Sequence, residues 1–247
     1  MPGIYQKLTF YLPWEAGHRG EFAQNFLLQV YFTFVQSAAM VALLGLSSGI
    51  AIAFQANLGL SLVGTHEQLG HLLVAVIFRE IAPFAASLIL IARSITAIAA
   101  DLATIKVQQE VEALEMMGIS VYHYLIAPRL AACTISLFCM AALFWGTALF
   151  GGWIGANIGA PYPLGPYLTS VAQAIRPVDL PFFVLKSAGI GFLIAHIACT
   201  RGLSLHNAPF EVPIVTNRAV VDALTVAIGV QLALSAAQYM LLGGAFL

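Results

Sequence analysis

The residues able to do chemistry in this chain are few, and the informative ones sit where charge is costly. Arg79, Glu80 and Arg93 lie inside one long apolar run, Lys186 and His196 inside another, and Asp222 near the start of a third. An ionised side chain in hydrocarbon is expensive and faces a cavity, a partner or a polar path. The arginine fork suits a phosphate or carboxylate. Arg79 and Glu80 are sequence neighbours, about 100° apart around a helix, so they do not form an i,i+4 pair. A pair snorkelling to the headgroup level is the alternative reading. Asp101, Asp222 and His196 are the groups from which a proton relay would be built. Other chemistries find no support. The sequence has no GxxxxGK[ST] phosphate loop and no Ser/His/Asp set or paired carboxylates. His66 and His71 lack a third ligand nearby, so no metal site is expected, nor any cofactor. Cys133, Cys139 and Cys199 fall in apolar runs and read as packing residues, not as disulfides or zinc ligands.

The elements that position these residues are membrane spans. Of 247 residues, 60% are hydrophobic and only 9% charged, against roughly 25% charged in soluble domains. This composition predicts an integral membrane protein with a single domain over 1–247. The net charge of −1 gives no field for nucleic acid. A cleavable signal is not expected, because the first 21 residues carry Lys7, Glu15, Arg19 and Glu21 without a continuous apolar stretch. Tyr5, Phe10, Tyr11 and Trp14 mixed with charges, and Pro13, predict an amphipathic segment on the membrane surface over 1–21. A bilayer core needs about 20 apolar residues per helix. Spans are expected at about 27–56, 71–100, 130–156, 181–200 and 219–242. Pro83 invites a kink just beyond Arg79-Glu80. Gly45, Gly49 and Ala53, and again Gly151, Gly155 and Gly159, make small-residue ridges for close helix contact, within or between subunits. Pro161, Pro163, Gly165 and Pro166 mark a loop, and Pro209 and Pro213 break another. The basic residues predict N-in/C-out: six lie on inside segments and only Arg176 outside.

Between the second and third spans the pattern changes. Val107, Val111, Leu114 and Gly118 share a helical face, with Glu110, Glu112 and Glu115 beside it. Lys106 can meet Glu110 at i,i+4, and Gly118 is suited to stop the helix. One amphipathic helix of about three turns is expected over 105–118. Anionic lipid repels an acidic helix, so a protein groove suits it better.

The block 79–129 carries a resemblance. Arg79-Glu80-Ile81-Ala82-Pro83, Ala92-Arg93, Ala100-Asp101-Leu102-Ala103-Thr104, Glu112-Ala113-Leu114-Glu115-Met116-Met117-Gly118, Tyr124-Leu125 and Pro128-Arg129 resemble the MlaE/YrbE family of ABC transporter permeases, the membrane subunits of MCE-type lipid transport systems. Leu185-Lys186-Ser187 and Ala219-Val220-Val221 also fit, and the likeness covers about residues 40–242. Asp101 stands where the family usually has Glu, and Gln109-Glu110 inverts a Glu-Gln pair. The resemblance implies an all-α homodimer of five-span subunits, with two cytoplasmic ATPase subunits that carry ATP hydrolysis, a STAS-domain regulator and an outer ring of MCE subunits. It implies a phospholipid cavity gated by Arg79, Glu80, Gln55 and Ile52. It further implies transmission through Arg93 and Asp101, and an ATPase-coupling helix with Lys106, Glu110, Val111, Leu114, Glu115 and Met117 at its surface. An ion-coupled secondary transporter of a hydrophobic substrate is the alternative. An odd number of spans without inverted repeats speaks against it, and the missing catalytic set speaks against a lipid-modifying enzyme.

Overall fold

Long apolar runs fold as helices because lipid leaves no other partner for backbone N–H and C=O groups. In the computed structural model, residues 19–63, 69–118, 120–158, 163–205 and 209–243 are described, and among them there is helix but no strand. The surface segment expected at 1–21 lies outside the described residues except for its last three, which begin a helix. Five helical rods are long and apolar enough to cross a membrane: Gln24–Gly59, Leu69–Val107, Tyr124–Ala156, Asp179–Leu203 and Val212–Leu241. The first is built from α1 (Arg19–Val30) and α2 (Gln36–Val63). The second contains α3 (Leu69–Leu73), α4 (Ala82–Leu90) and α5 (Thr96–Val107). The third is largely α7 (Ala127–Ala156), the fourth α9 (Asp179–Leu203) and the fifth α10 (Val212–Gly243). The second and fourth rods are the most buried, and the first and fifth the most exposed.

The small-residue ridges pack within the chain. A Cβ added to Gly49 would meet the Ala148 carbonyl oxygen at 2.1 Å, and one on Gly151 would meet that of Leu46 at 2.2 Å. Glycine on α2 and α7 therefore lets the first and third spans approach backbone to backbone. Gly155 packs on Ile50 in the same way, while Gly159 lies outside the described residues. Cys133 and Cys199 are buried packing residues.

Several local expectations give way. Among the described residues, four π-helical stretches interrupt the helices, at Tyr31–Val35, Val74–Ile81, Ile91–Ile95 and Tyr122–Ile126. Pro83 sits in the first turn of α4, so the second span accommodates it with a widened turn before it. The segment around Pro163 and Pro166 is not all loop. It holds α8 (Leu164–Ala174), whose buried Tyr167, Ser170, Val171 and Ala174 follow i, i+3, i+4, i+7 spacing. Proline is tolerated there because first-turn N–H groups have no helical acceptor. The same reason lets α10 begin at Val212 with Pro213 inside it, where a loop to Arg218 was expected. The single helix expected over 105–118 is two pieces. The second span continues to Val107, Gln109 adopts left-handed φ 60°, and α6 (Glu110–Met116) starts afresh. Gly118 (φ 75°) follows Met116-Met117 as a left-handed stop.

Candidate functional site at a buried charge cluster

Pro83 has no N–H to give the carbonyl four residues back, which belongs to Arg79. The Lys186 ammonium supplies the missing donor, with Nζ 2.8 Å from the Arg79 carbonyl oxygen. Lys186 is 1% exposed and lies on the fourth span, so the widened turn and a buried charge satisfy one another. The same ammonium lies 3.2 Å from Glu80 Oε1 and donates to Ser235 Oγ at 3.0 Å. Ser235 in turn donates to Glu80 Oε2 at 2.5 Å, and Gln231 Nε2 reaches both Glu80 Oε2 (3.1 Å) and the Glu80 carbonyl (3.2 Å).

Arg79 points to a different partner. Its Nη2 donates to Asp179 Oδ2 at 2.9 Å, and the Asp179 side chain is fully buried. Gln238 Nε2 (3.0 Å) and the Arg176 backbone N–H (2.9 Å) complete the carboxylate's shell. Two cations and two anions thus meet where the second, fourth and fifth spans converge, at the end of the bundle that carries α8. Paired and hydrogen-bonded charges are what a low-dielectric site tolerates. Phe78, stacked on Phe183 at 4.6 Å and tilted on Trp145 at 5.0 Å, lies next to the cluster in sequence and is buried. The cluster is not sealed: the Glu80 side chain keeps 29% exposure, and the Arg79 Nε is buried without a partner.

Of the residues expected to face lipid, Arg79 and Glu80 are in this cluster and held by separate partners, not by each other. Gln55 is exposed on the first span, and none of the cluster's described hydrogen bonds reaches it. Ile52 packs against the apolar core. Asp179, Gln231, Ser235 and Gln238 were missed. Asp179 and Lys186 are seven residues apart, and Gln231, Ser235 and Gln238 follow i, i+4, i+7 spacing, which places each set on one helical face. That spacing was the available signal.

Toward the other end, Arg93 donates to the Gln36 carbonyl (2.6 Å) and to Gln36 Oε1 (3.1 Å). Asp101 accepts from Arg129 Nη2 at 2.5 Å, tying the second span to the third. Lys106 pairs with Glu112, not with Glu110, because the left-handed Gln109 breaks the i,i+4 register. The Lys106 hydrogen bond holds the Glu112 carboxyl below the usual glutamate range. Val111, expected at a docking surface, is buried in the protein itself, and Val107 packs beside Ala103, Leu205 and Val215. What α6 and the turn after it expose is Glu110, Glu115, Met116 and Met117, with Leu114 half-buried.

The family described as Permease MlaE matches residues 26–237, most of the chain. Among relatives, a probable ABC transporter permease protein of Rickettsia prowazekii is 29% identical over 79% of this chain and 75% of its own length. The intermembrane phospholipid transport system permease protein MlaE of Haemophilus influenzae is 26% identical over 85% and 81%. The chloroplastic protein trigalactosyldiacylglycerol 1 of Arabidopsis thaliana is 25% identical over 81% and 57%. The five apolar rods and the match across nearly all of them lead to one conclusion: the chain belongs to the MlaE permease family.

Proposed function

We propose that this chain is the permease subunit of an ABC transporter that moves phospholipid between a bacterial inner membrane and a periplasmic MCE protein. Membership of the MlaE family carries this reading, together with one relative's name as a phospholipid transport permease. Two copies form the membrane unit. Each carries exposed apolar side chains on the first and fifth spans, including Leu43, Met40, Leu232 and Met240, that serve lipid and partner contact. A separate ATPase docks on Glu110, Leu114, Glu115 and Met117, with Met116 beside them, and a STAS-domain protein regulates it. With the basic residues held inside, that surface is cytoplasmic and the charge cluster faces the MCE ring.

ATP-driven closure pushes the corner at Gln109. The push enters the second span directly, because α5 runs without interruption into Val107, and the Asp101–Arg129 and Arg93–Gln36 ties carry it sideways to the third and first spans. At the far end a lipid phosphate competes with Asp179 for Arg79, whose unpartnered Nε offers a further donor. Lys186, Ser235 and Gln231 keep Glu80 from repelling the headgroup. When the phosphate leaves, Asp179 takes Arg79 back.

The test is lipid transfer in liposomes reconstituted with the ATPase and MCE subunits. Glu80→Arg places a third cation against Arg79 and Lys186 and is expected to abolish transfer while the complex still assembles. Full transfer by this variant refutes the site assignment.

A further inference from the structure

A cleft of about 250 Å³ lies between the first three spans at the end that carries the 107–124 connection. Two of the π-helical turns face each other across it, Tyr31–Val35 on the first span and Ile91–Ile95 on the second. Such widened turns are frequent at functional sites. Thr33 belongs to the first of them. It is 1% exposed and its hydroxyl has no hydrogen-bond partner. Every other described threonine donates to a carbonyl in the preceding turn of its own helix. The Thr33 hydroxyl is therefore an unfilled donor in the wall of a cleft.

Two guanidiniums line the same cleft. Arg129 gives Nη2 to Asp101, while its Nη1 is buried and unpartnered. Arg93 is held at the mouth by Gln36 and is otherwise exposed. Against these two cations stands one carboxylate, Asp101, whose side chain is 59% exposed and can turn to water. A net positive site with spare N–H and O–H donors calls for an anion with several acceptor oxygens, the chemistry of a phosphate. Its volume is below the roughly 300–1,000 Å³ of whole small-molecule sites, so it takes a phosphate with its glycerol and leaves acyl chains outside along Phe32 and Ile98. Arg129 stands in the first turn of α7.

We propose that this cleft binds the phosphate of an anionic phospholipid from the leaflet at that end, separately from the cluster at Arg79 and Glu80. Docking draws Arg129 away from Asp101 and loosens the tie between the second and third spans, six residues before the α5 terminus at Val107. Anionic lipid in that leaflet then tunes how a push at the Gln109 corner reaches the bundle.

The experiment is native mass spectrometry of the full chain, delipidated in mild detergent and titrated with phosphatidylglycerol, phosphatidylcholine or inorganic phosphate. One phosphatidylglycerol per chain is expected to bind in preference to phosphatidylcholine. Its affinity should fall about tenfold or more in Arg129→Gln, the scale of one lost charge-assisted hydrogen bond, and several-fold in Thr33→Val, which keeps the side-chain shape and so the fold. Retention of that lipid in Glu80→Arg separates this site from the transport cluster. Equal binding by the wild type and both cleft variants overturns the proposal, as does equal binding of phosphatidylcholine. Displacement of the lipid by inorganic phosphate at matching affinity assigns the cleft to a free anion and overturns the lipid reading.

Discussion

Replacing Lys186 by Met tests the cluster most directly. Methionine keeps an unbranched side chain of similar length but removes the ammonium. Three hydrogen bonds go with it: to Glu80 Oε1, to the Arg79 carbonyl and to Ser235. Removing one partner of a buried ion pair costs about 3–5 kcal/mol, and the Glu80 carboxylate, 29% exposed, belongs at the lower end because water reaches it. The Arg79 carbonyl, already deprived of a donor by Pro83, adds about 1 kcal/mol as an unsatisfied acceptor. A total of about 4 kcal/mol corresponds to a Tm lowered by roughly 8–16 °C for a chain of this size. The second variant decides the cause. With Glu80→Gln added, no unpaired carboxylate remains, and Gln231 and Ser235 still have a polar group to bind. The double variant should regain about 1–2 kcal/mol relative to Lys186→Met, a coupling in the range typical of contacting residues. The assay is thermal unfolding of the purified protein in one detergent at fixed protein concentration. A Lys186→Met Tm within about 2 °C of wild type, or a double variant as unstable as the sum of the two singles, refutes the reasoning.

Further outcomes follow from other contacts. Gly49→Ala drives a methyl into the Ala148 carbonyl and should cost about 1–3 kcal/mol, whereas Gly146→Ala, with open space around it, should gain up to about 1 kcal/mol from helix propensity; equal melting temperatures for the two would contradict the packing of the first span on the third. Gln109→Gly relieves a left-handed residue and is expected to stabilise the corner by about 1 kcal/mol, while Gln109→Val destabilises it; unfolding scans of the three proteins check the order. The Glu112 carboxyl titrates below its ordinary value, so the Lys106–Glu112 clasp contributes fully above the usual glutamate pKa and is lost only as pH falls through the lowered one. Carboxyl ¹³C NMR should show that titration, with Lys106→Met returning it to the ordinary range; an ordinary value in the wild type contradicts the clasp.

The spans were legible because apolar runs of this length have few alternatives in water or lipid. The ridges of Gly45, Gly49, Gly151 and Gly155 were legible as ridges, but their mutual partnership depends on which spans become neighbours. Arg79 and Glu80 stood out as charges in an apolar run. Their partners did not, since Asp179 and Ser235 are about 100 and 155 residues away and become informative only once three helix faces converge. The break at Gln109 was hidden because glutamine does not announce a left-handed residue as glycine does. Helix α8 was hidden by prolines that end a helix in most positions and are harmless in its first turn. The π-helical turns at Tyr31–Val35 and Ile91–Ile95 carry no proline or glycine to mark them.

The cluster of Arg79, Glu80, Asp179 and Lys186 sums to zero. One elementary charge carried across a membrane potential exchanges about 2.3 kcal/mol per 100 mV. With both pairs ionised, a rigid shift of this cluster along the membrane normal does no net electrical work, although each of its members alone would. A rigid displacement of these four side chains is therefore electrically silent, and the voltage across the membrane would neither drive nor brake it.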